Sequence, residues 1–279
     1  MPRPNALLKN ASTQIVLIAF ITFLLFPLLW VLSTSFKTTP EIYAGVPGLL
    51  PVSFSLEHYQ TILRGSNVLA AIRNSLMVGL LSTFLGVIVA LPGAYALARF
   101  RSALNQAVLG WILTSQIFPA ILIMIPLYVL LRSLRLTDSL PGLALVYVVW
   151  SLPFVLWMLH GYLKSIPVDL EEAAAIDGAT RAQIIFRILL PTLLPALGAA
   201  MLFTFISAWN EFFFALVLMK SPDAVTLPVE LARYTGMEGQ ARTGPLAAAS
   251  VVATLPSLLL FAIIQKWFAG GLLAGAVKN

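Results

Sequence analysis

Apolar residues along this chain fall in runs of membrane length, parted by short polar stretches. The first dense run, 15–32, lies in a charge-free window from Asn10 to Phe36. At ~1.5 Å per residue it covers ~27 Å, close to a hydrocarbon core of ~30 Å. With its flanks it predicts a span over about 15–35. Five further spans are expected near 75–97, 107–131, 140–163, 191–218 and 246–268. Arg3 and Lys9 before the first run give it the outline of a signal peptide. The run is too long for one and no small-residue cleavage site follows, so a retained span is expected. Pro92, Pro119, Pro126 and Pro153 fall inside the runs and predict kinks. The pattern is that of an all-α polytopic membrane protein with six transmembrane helices.

The polar stretches differ in character. Lys37 to Arg73 is the longest, with a helical stretch expected after Phe54-Ser55-Leu56-Glu57-His58-Tyr59 and leading to Arg73-Asn74-Ser75. Residues 220–242 form a second long loop. The stretch at 165–190 has the clearest internal plan. Pro167 stiffens its start, and Asp169 is placed to cap a helix with Glu172 three positions on. Glu171 and Glu172 sit in the first turn, where the helix dipole favours negative charge. Ala173, Ala174 and Ala175 form helix without bulk, and Gly178 can end it in a left-handed conformation. Thr180 and Gln183 have capping-box spacing for a second helix. Helix, tight turn, helix is the expected form, with small alanines that admit a close partner surface and an acidic rim for it to recognise.

Composition agrees: 59% of residues are hydrophobic, 10% are charged, and mean hydropathy is +0.94, where a soluble domain carries about 25% charged residues. One membrane domain over 1–279 is expected. The absence of cysteine excludes disulfides and thiol chemistry, and His58 and His160 are too far apart in sequence to suggest a metal centre. The net charge of +6 lies in Arg and Lys residues flanking the runs, without the basic-aromatic clustering of a nucleic-acid surface. Of the 17 Arg and Lys residues, nine fall on the side of the termini and the 165–190 loop and eight on the other, so charge bias does not orient the chain.

Glu211 is the only acidic residue inside an expected span, ~13 Å along a helix from Lys220, whereas Lys266 stands at the very end of the sixth. A charge at that depth faces a cavity or a partner. Trp209, Asn210 and Phe212 lie beside it and add aromatic and polar groups. A purely structural hydrogen bond to a neighbouring helix is the alternative, and both readings stay open. The segment from Gly270 to Lys278 has a faint phosphate-loop outline, but Ala276 stands where the lysine must follow the second glycine. No ATP site is expected in this chain. No serine–histidine or metal constellation supports a membrane enzyme.

Glu172-Ala173-Ala174, Asp177-Gly178-Ala179 and Ile188-Leu189-Leu190-Pro191 together resemble the EAA loop of permease subunits of ABC importers. Ala208-Trp209-Asn210-Glu211-Phe212, Thr226-Leu227-Pro228-Val229 and the stretch from Gln265 to Lys278 are similar to the carbohydrate branch, closest to the second, six-span permease of maltose-type importers. The resemblance covers almost the whole chain. It implies the type I ABC importer permease fold, with 165–190 as a cytoplasmic coupling loop that meets the ATPase through Glu171, Glu172, Ala173, Ala174, Asp177 and Gly178. Both termini would be cytoplasmic, in the cytoplasmic (inner) membrane of a bacterium or archaeon. The implied partners are a second homologous permease, two ATPase subunits that bind ATP and Mg, an extracytoplasmic solute-binding protein and a sugar. Trp209, Asn210, Glu211 and Phe212 are the candidates for the sugar path. An importer of glycerol phosphate or polyamine is the nearest rival; an ion-coupled secondary transporter would not explain the loop and would carry more intramembrane titratable groups.

Overall fold

A computed structural model describes residues 4–45, 48–64, 67–100, 102, 104–236 and 242–276. Among these there is helix and turn but no strand. The chain divides into two units, Met1–Leu69 with Glu230–Thr254 and Ala70–Val229 with Leu255–Asn279.

In the first unit, α1 (Pro4–Thr34) is exposed on every face from residue 13 to 32. A helix apolar all round is one whose surroundings are apolar. Two short helices follow, α2 (Thr39–Tyr43) and α3 (Glu57–Arg64). The start of α2 has no cap of its own. Glu57 serves it instead, accepting from Thr39 N at 2.6 Å and Thr39 Oγ1 at 2.7 Å. Those bonds hold the Glu57 carboxyl below the usual glutamate range. Phe36 stacks on Phe54 with ring centroids 4.6 Å apart and leans on Tyr59 at 5.2 Å, which knits the segment around α1's end.

The second unit begins in α4 (Val68–Arg99), which runs unbroken through Pro92. Next, α5 (Leu104–Ser115) and α6 (Ala120–Ser133) meet at 98°, so the single span expected over 107–131 is two helices. Pro119 stands immediately before α6 with ψ 130; it cannot donate to α5's last turn and biases Phe118 away from helical backbone. Then come α7 (Leu140–Ser165), α8 (Asp169–Ile176) and α9 (Arg181–Gln183). A π-helical segment, Ile184–Leu189, leads into α10 (Leu190–Thr192). The chain bends by 72° at Leu193, between Pro191 and Pro195, into α11 (Leu194–Asn210), and α12 (Phe213–Leu218) follows a second break. The continuous span expected over 191–218 is therefore in pieces. Last are α13 (Leu227–Ala232) and α14 (Thr243–Ala276).

By length and apolarity, α1 over Thr13–Thr34, α4, α7 and α14 over Thr243–Gln265 can each cross a membrane; counting each bent pair as one crossing gives six. The second unit holds two apolar clusters. One gathers Tyr147, Met124, Ala208, Phe214 and Leu218. The other joins Ala94 of α4, Leu159 and Leu163 of α7, Ala174 of α8, Leu189 and Leu197. Close approach of α4 to α11 depends on Gly79, where a Cβ would stand 3.0 Å from the Phe205 ring. Small residues at such contacts are how helices pack tightly in a membrane.

The α6–α7 turn is clasped to the segment after α12. Asp138, at φ 54, accepts from Lys220 N at 2.8 Å, from Ser221 N at 3.0 Å and from the Ser221 hydroxyl. These bonds lower the Asp138 pKa, the Ser221 hydroxyl chiefly.

Candidate coupling loop and helix break

Two places stand out by geometry, the loop 165–190 and the break at Glu211. In the loop, α8 does not begin as the sequence suggests. Val168 occupies the cap position with helical backbone (φ -65, ψ -30) and no side-chain bond, and Asp169 is already the first helical residue. The chain enters α8 in helical conformation, so an Asp169 cap has no geometry to use. The far end does follow the expected plan. Gly178 has φ +85; its N–H donates to Ala175 O at 3.1 Å, and Ala179 N donates to Ala174 O at 3.0 Å. That pair of bonds is the Schellman closure of a helix. Thr180 then forms the capping box with Gln183, accepting from Gln183 N at 3.3 Å while Thr180 N donates to Gln183 Oε1 at 2.8 Å. The helix that follows turns π-helical after three residues.

The six candidate coupling residues, four in α8 and two in the turn that closes it, divide into a buried and an exposed set. Glu171 and Ala174 are buried, while Glu172, Ala173, Asp177 and Gly178 are exposed. Ala174 joins the inner apolar cluster. Glu171 meets Arg99 at the end of α4, Nε to Oε1 at 2.5 Å, and its other oxygen accepts from Tyr95 OH at 3.0 Å. Arg99 Nη2 also donates to Ile166 O at 3.1 Å. Both side chains are about nine-tenths enclosed, at 9% and 11% exposure. The sequence treats Arg99 as one more charge flanking a span; 72 residues separate it from Glu171, and no local pattern announces the pair. On the outer face Ile176 is 87% exposed beside Glu172, with Leu170 also exposed. An apolar side chain presented next to an acidic rim suits a protein surface.

At the second place, α11 ends at Asn210. Glu211 is extended (φ -71, ψ 126), and α12 starts at Phe213. The picture of Glu211 partway along a continuous helix is thus replaced by one of Glu211 at a break. Its carboxylate accepts from Phe214 N at 2.9 Å and Ala215 N at 3.2 Å, which caps α12, and from Tyr147 OH at 2.7 Å. A carboxylate at a helix N-terminus satisfies amides that the helix leaves unpaired and favours its dipole. Trp209 is buried and stacked on Phe205 with centroids 5.6 Å apart. Asn210 is exposed, its Nδ2 donating to Ile206 O at 2.9 Å, and Phe212 is half-buried against Phe213. The four residues named from sequence are adjacent at the break but do not converge on one point. Tyr147, which completes the cap from α7, had no sequence signal beyond its apolar surroundings. Among the described residues no cluster of His, Asp and Glu could hold a metal. In the C-terminal stretch, Val277 and Lys278 lie outside the described residues.

The family described as the binding-protein-dependent transport system inner membrane component matches residues 82–273, which take in both places. The chain belongs to this family. It is 36% identical over 256 residues to the trehalose transport system permease protein SugB of Mycobacterium tuberculosis, covering 91% of this chain and 93% of that one. Against the diacetylchitobiose uptake system permease protein DasC of Streptomyces coelicolor it is 35% identical over 256 residues, covering 92% of each. A solved structure of a bacterial ABC transporter that imports the acidic polysaccharide alginate superposes with TM-score 0.81 at 24% identity, over 96% of this chain and 99% of that one. The fold is that of a type I ABC importer permease. As a member of this family the chain is a multi-pass inner-membrane transport subunit.

Proposed function

We propose that this chain is the permease subunit of an ABC importer that moves a carbohydrate across the cytoplasmic membrane by ATP-driven alternating access. The observation that carries the proposal is the 165–190 loop: a short helix closed at Gly178, bracketed between two membrane helices, with Glu172, Ala173 and Ile176 turned outward. Its relatives are permeases named for trehalose and diacetylchitobiose uptake, which supports a sugar or sugar derivative as cargo. The whole of 1–279 acts as one permease domain. It pairs with a second, homologous permease and docks two ATPase subunits that hold ATP and Mg, while a solute-binding protein delivers cargo to the opposite face. The 165–190 loop and both termini face the cytoplasm.

In this reading Glu172, Ala173, Asp177 and Gly178 form the docking surface, and Glu171 and Ala174 fix it to the membrane helices. The sugar path passes the break at 209–212. Asn210 and Phe212 offer polar and aromatic groups, Trp209 backs them, and Glu211 holds the break open by capping α12. Each conformational state must make contacts the other lacks for ATP to drive the cycle. The test is uptake of labelled trehalose, maltose and chitobiose by vesicles holding the full complex. ATP-dependent accumulation of one of these that needs the binding protein is expected. Accumulation that follows a proton or sodium gradient without ATPase subunits would overturn the proposal.

A further inference from the structure

The helix that meets Glu171 is also tied to the far side of the second unit. Asn74, 1% exposed near the start of α4, donates through Nδ2 to Asp223 O at 2.7 Å and Val225 O at 3.0 Å. One position on, Ser75 Oγ accepts from Leu227 N at 2.8 Å. These bonds hold the backbone of 223–227, the segment that follows the Asp138 clasp. At the other end of the same helix Arg99 grips Glu171 and the carbonyl of Ile166, so it holds both the start of the 165–190 loop and α8 itself. Asn74 and Arg99 are 25 residues apart on one unbroken helix, ~38 Å along its axis, more than the ~30 Å of the hydrocarbon core.

Packing alone would not make this link specific. An apolar recess of about 320 Å³ lies between α4, at Leu91, Pro92 and Tyr95, and the π-helical segment, at Ile185, Phe186 and Leu189. Beside that recess the directed ties between α4 and the loop are the Arg99 contacts to Glu171 and Ile166, joined by the Tyr95 hydroxyl on Glu171. Between its ends α4 is seated closely on Phe205 of α11 at Gly79 and on Leu156 of α7 at Gly93, contacts that resist bowing. A buried ion pair at one end and a buried amide gripping two carbonyls at the other are discrete contacts that are either made or broken.

We propose that α4 is the strut that carries movement of the docked loop to the opposite face of the membrane, with Arg99 and Asn74 as positioning residues at its two ends. The segment it would move, 223–227, leads into the loop that faces the binding protein. This rests on the reading of 165–190 as the ATPase-docking loop. Coupling between the two faces is reciprocal: a loaded binding protein that shifts 223–227 changes the state of the ATPases by the same free energy.

The test uses the assembled complex of this chain with its partner permease, ATPase subunits and binding protein. Arg99→Lys keeps the charge beside Glu171 but loses the fork that reaches Ile166 and Glu171 together. Asn74→Ala removes the grip at the other end. Each variant is expected to assemble with full ATPase content and normal basal hydrolysis. In each, stimulation of hydrolysis by the loaded binding protein should fall about tenfold, within the usual range of coupling between sites. The double variant should be no worse than the weaker single, because both break one linkage. Arg99→Glu with Glu171→Arg should recover stimulation relative to Arg99→Glu alone. Full stimulation in either single variant, or independent additive losses in the double, would overturn the strut. So would loss of the ATPase subunits from Arg99→Lys, which would make Arg99 part of the docking surface. Failure of the unaltered chain to retain ATPase subunits would instead defeat the docking reading on which the strut stands.

Discussion

At the scale of single residues, two positions carry sharp expectations. Gly178 sits at φ +85 with nothing within 4 Å of where a Cβ would be. A substitution there acts through backbone strain and not through a clash. Gly178→Val should cost about 1–2 kcal/mol in the turn and reduce uptake while the protein still reaches the membrane. Gly178→Asn, which tolerates the left-handed region, should retain most activity. Equal uptake by the two variants, measured in the same vesicles, would show that the turn is not what matters. Glu211 receives donors from Phe214 N, Ala215 N and Tyr147 OH. Glu211→Ala leaves them unanswered in an apolar setting, at about 1–3 kcal/mol per unsatisfied group, and the yield of assembled complex should drop. Glu211→Gln keeps one acceptor oxygen and should fall between. If Glu211 also touches the sugar, the Gln variant will lose transport rate per assembled complex; a Glu211→Ala complex with full yield and full rate would defeat both roles.

Among elements, the clasp between the α6–α7 turn and the segment after α12 depends on one ionised side chain. The Asp138 pKa is lowered in the fold by hydrogen bonds from Ser221 and Lys220. A lowered carboxylate stabilises the fold above its ordinary value, here 3.8, and that contribution is lost as pH falls through the lowered value. At neutral pH the clasp is fully formed, and it should loosen only below the ordinary aspartate range. Asp138→Asn should weaken it at neutral pH, by about 1 kcal/mol for each bond lost, and should remove its dependence on pH. Hydrogen exchange at the Lys220 and Ser221 amides reads this directly. Unchanged protection in the Asn variant would show that backbone packing holds the turn by itself. The break between α5 and α6 belongs to the same scale. Proline placement foretells a disturbance near Pro119 but not its size, a turn of 98°.

For the molecule as a whole, the proposal sets sides. In this cysteine-free chain, a single cysteine at Thr235 should react with an impermeant reagent in intact cells, and one at Thr180 only after lysis. Labelling at Thr180 in intact cells would reverse the orientation and end the ATPase-docking reading. The exposed α1, apolar on all sides from residue 13 to 32, is expected to meet lipid or the partner permease.

What the sequence determined by itself was whatever depends on local composition and short spacing. Runs of apolar residues specify helices in a membrane because backbone polar groups must be satisfied within the segment. Gly178, Thr180 and Gln183 specify their turn and capping box because those bonds close within a few residues. The residue types of the EAA-like loop carried the family resemblance in the same way. Tertiary structure alone decided the partners of the isolated polar groups. Arg99 with Glu171, Tyr147 with Glu211, Asn74 with the 223–227 backbone and Asp138 with Ser221 are pairs 64 to 151 residues apart. An apolar environment obliges each such group to find a partner but does not say which. The three helix breaks, at Pro119, Leu193 and Glu211, were decided there too, since a proline or a carboxylate in a run permits a bend, and packing and capping select where the chain takes it.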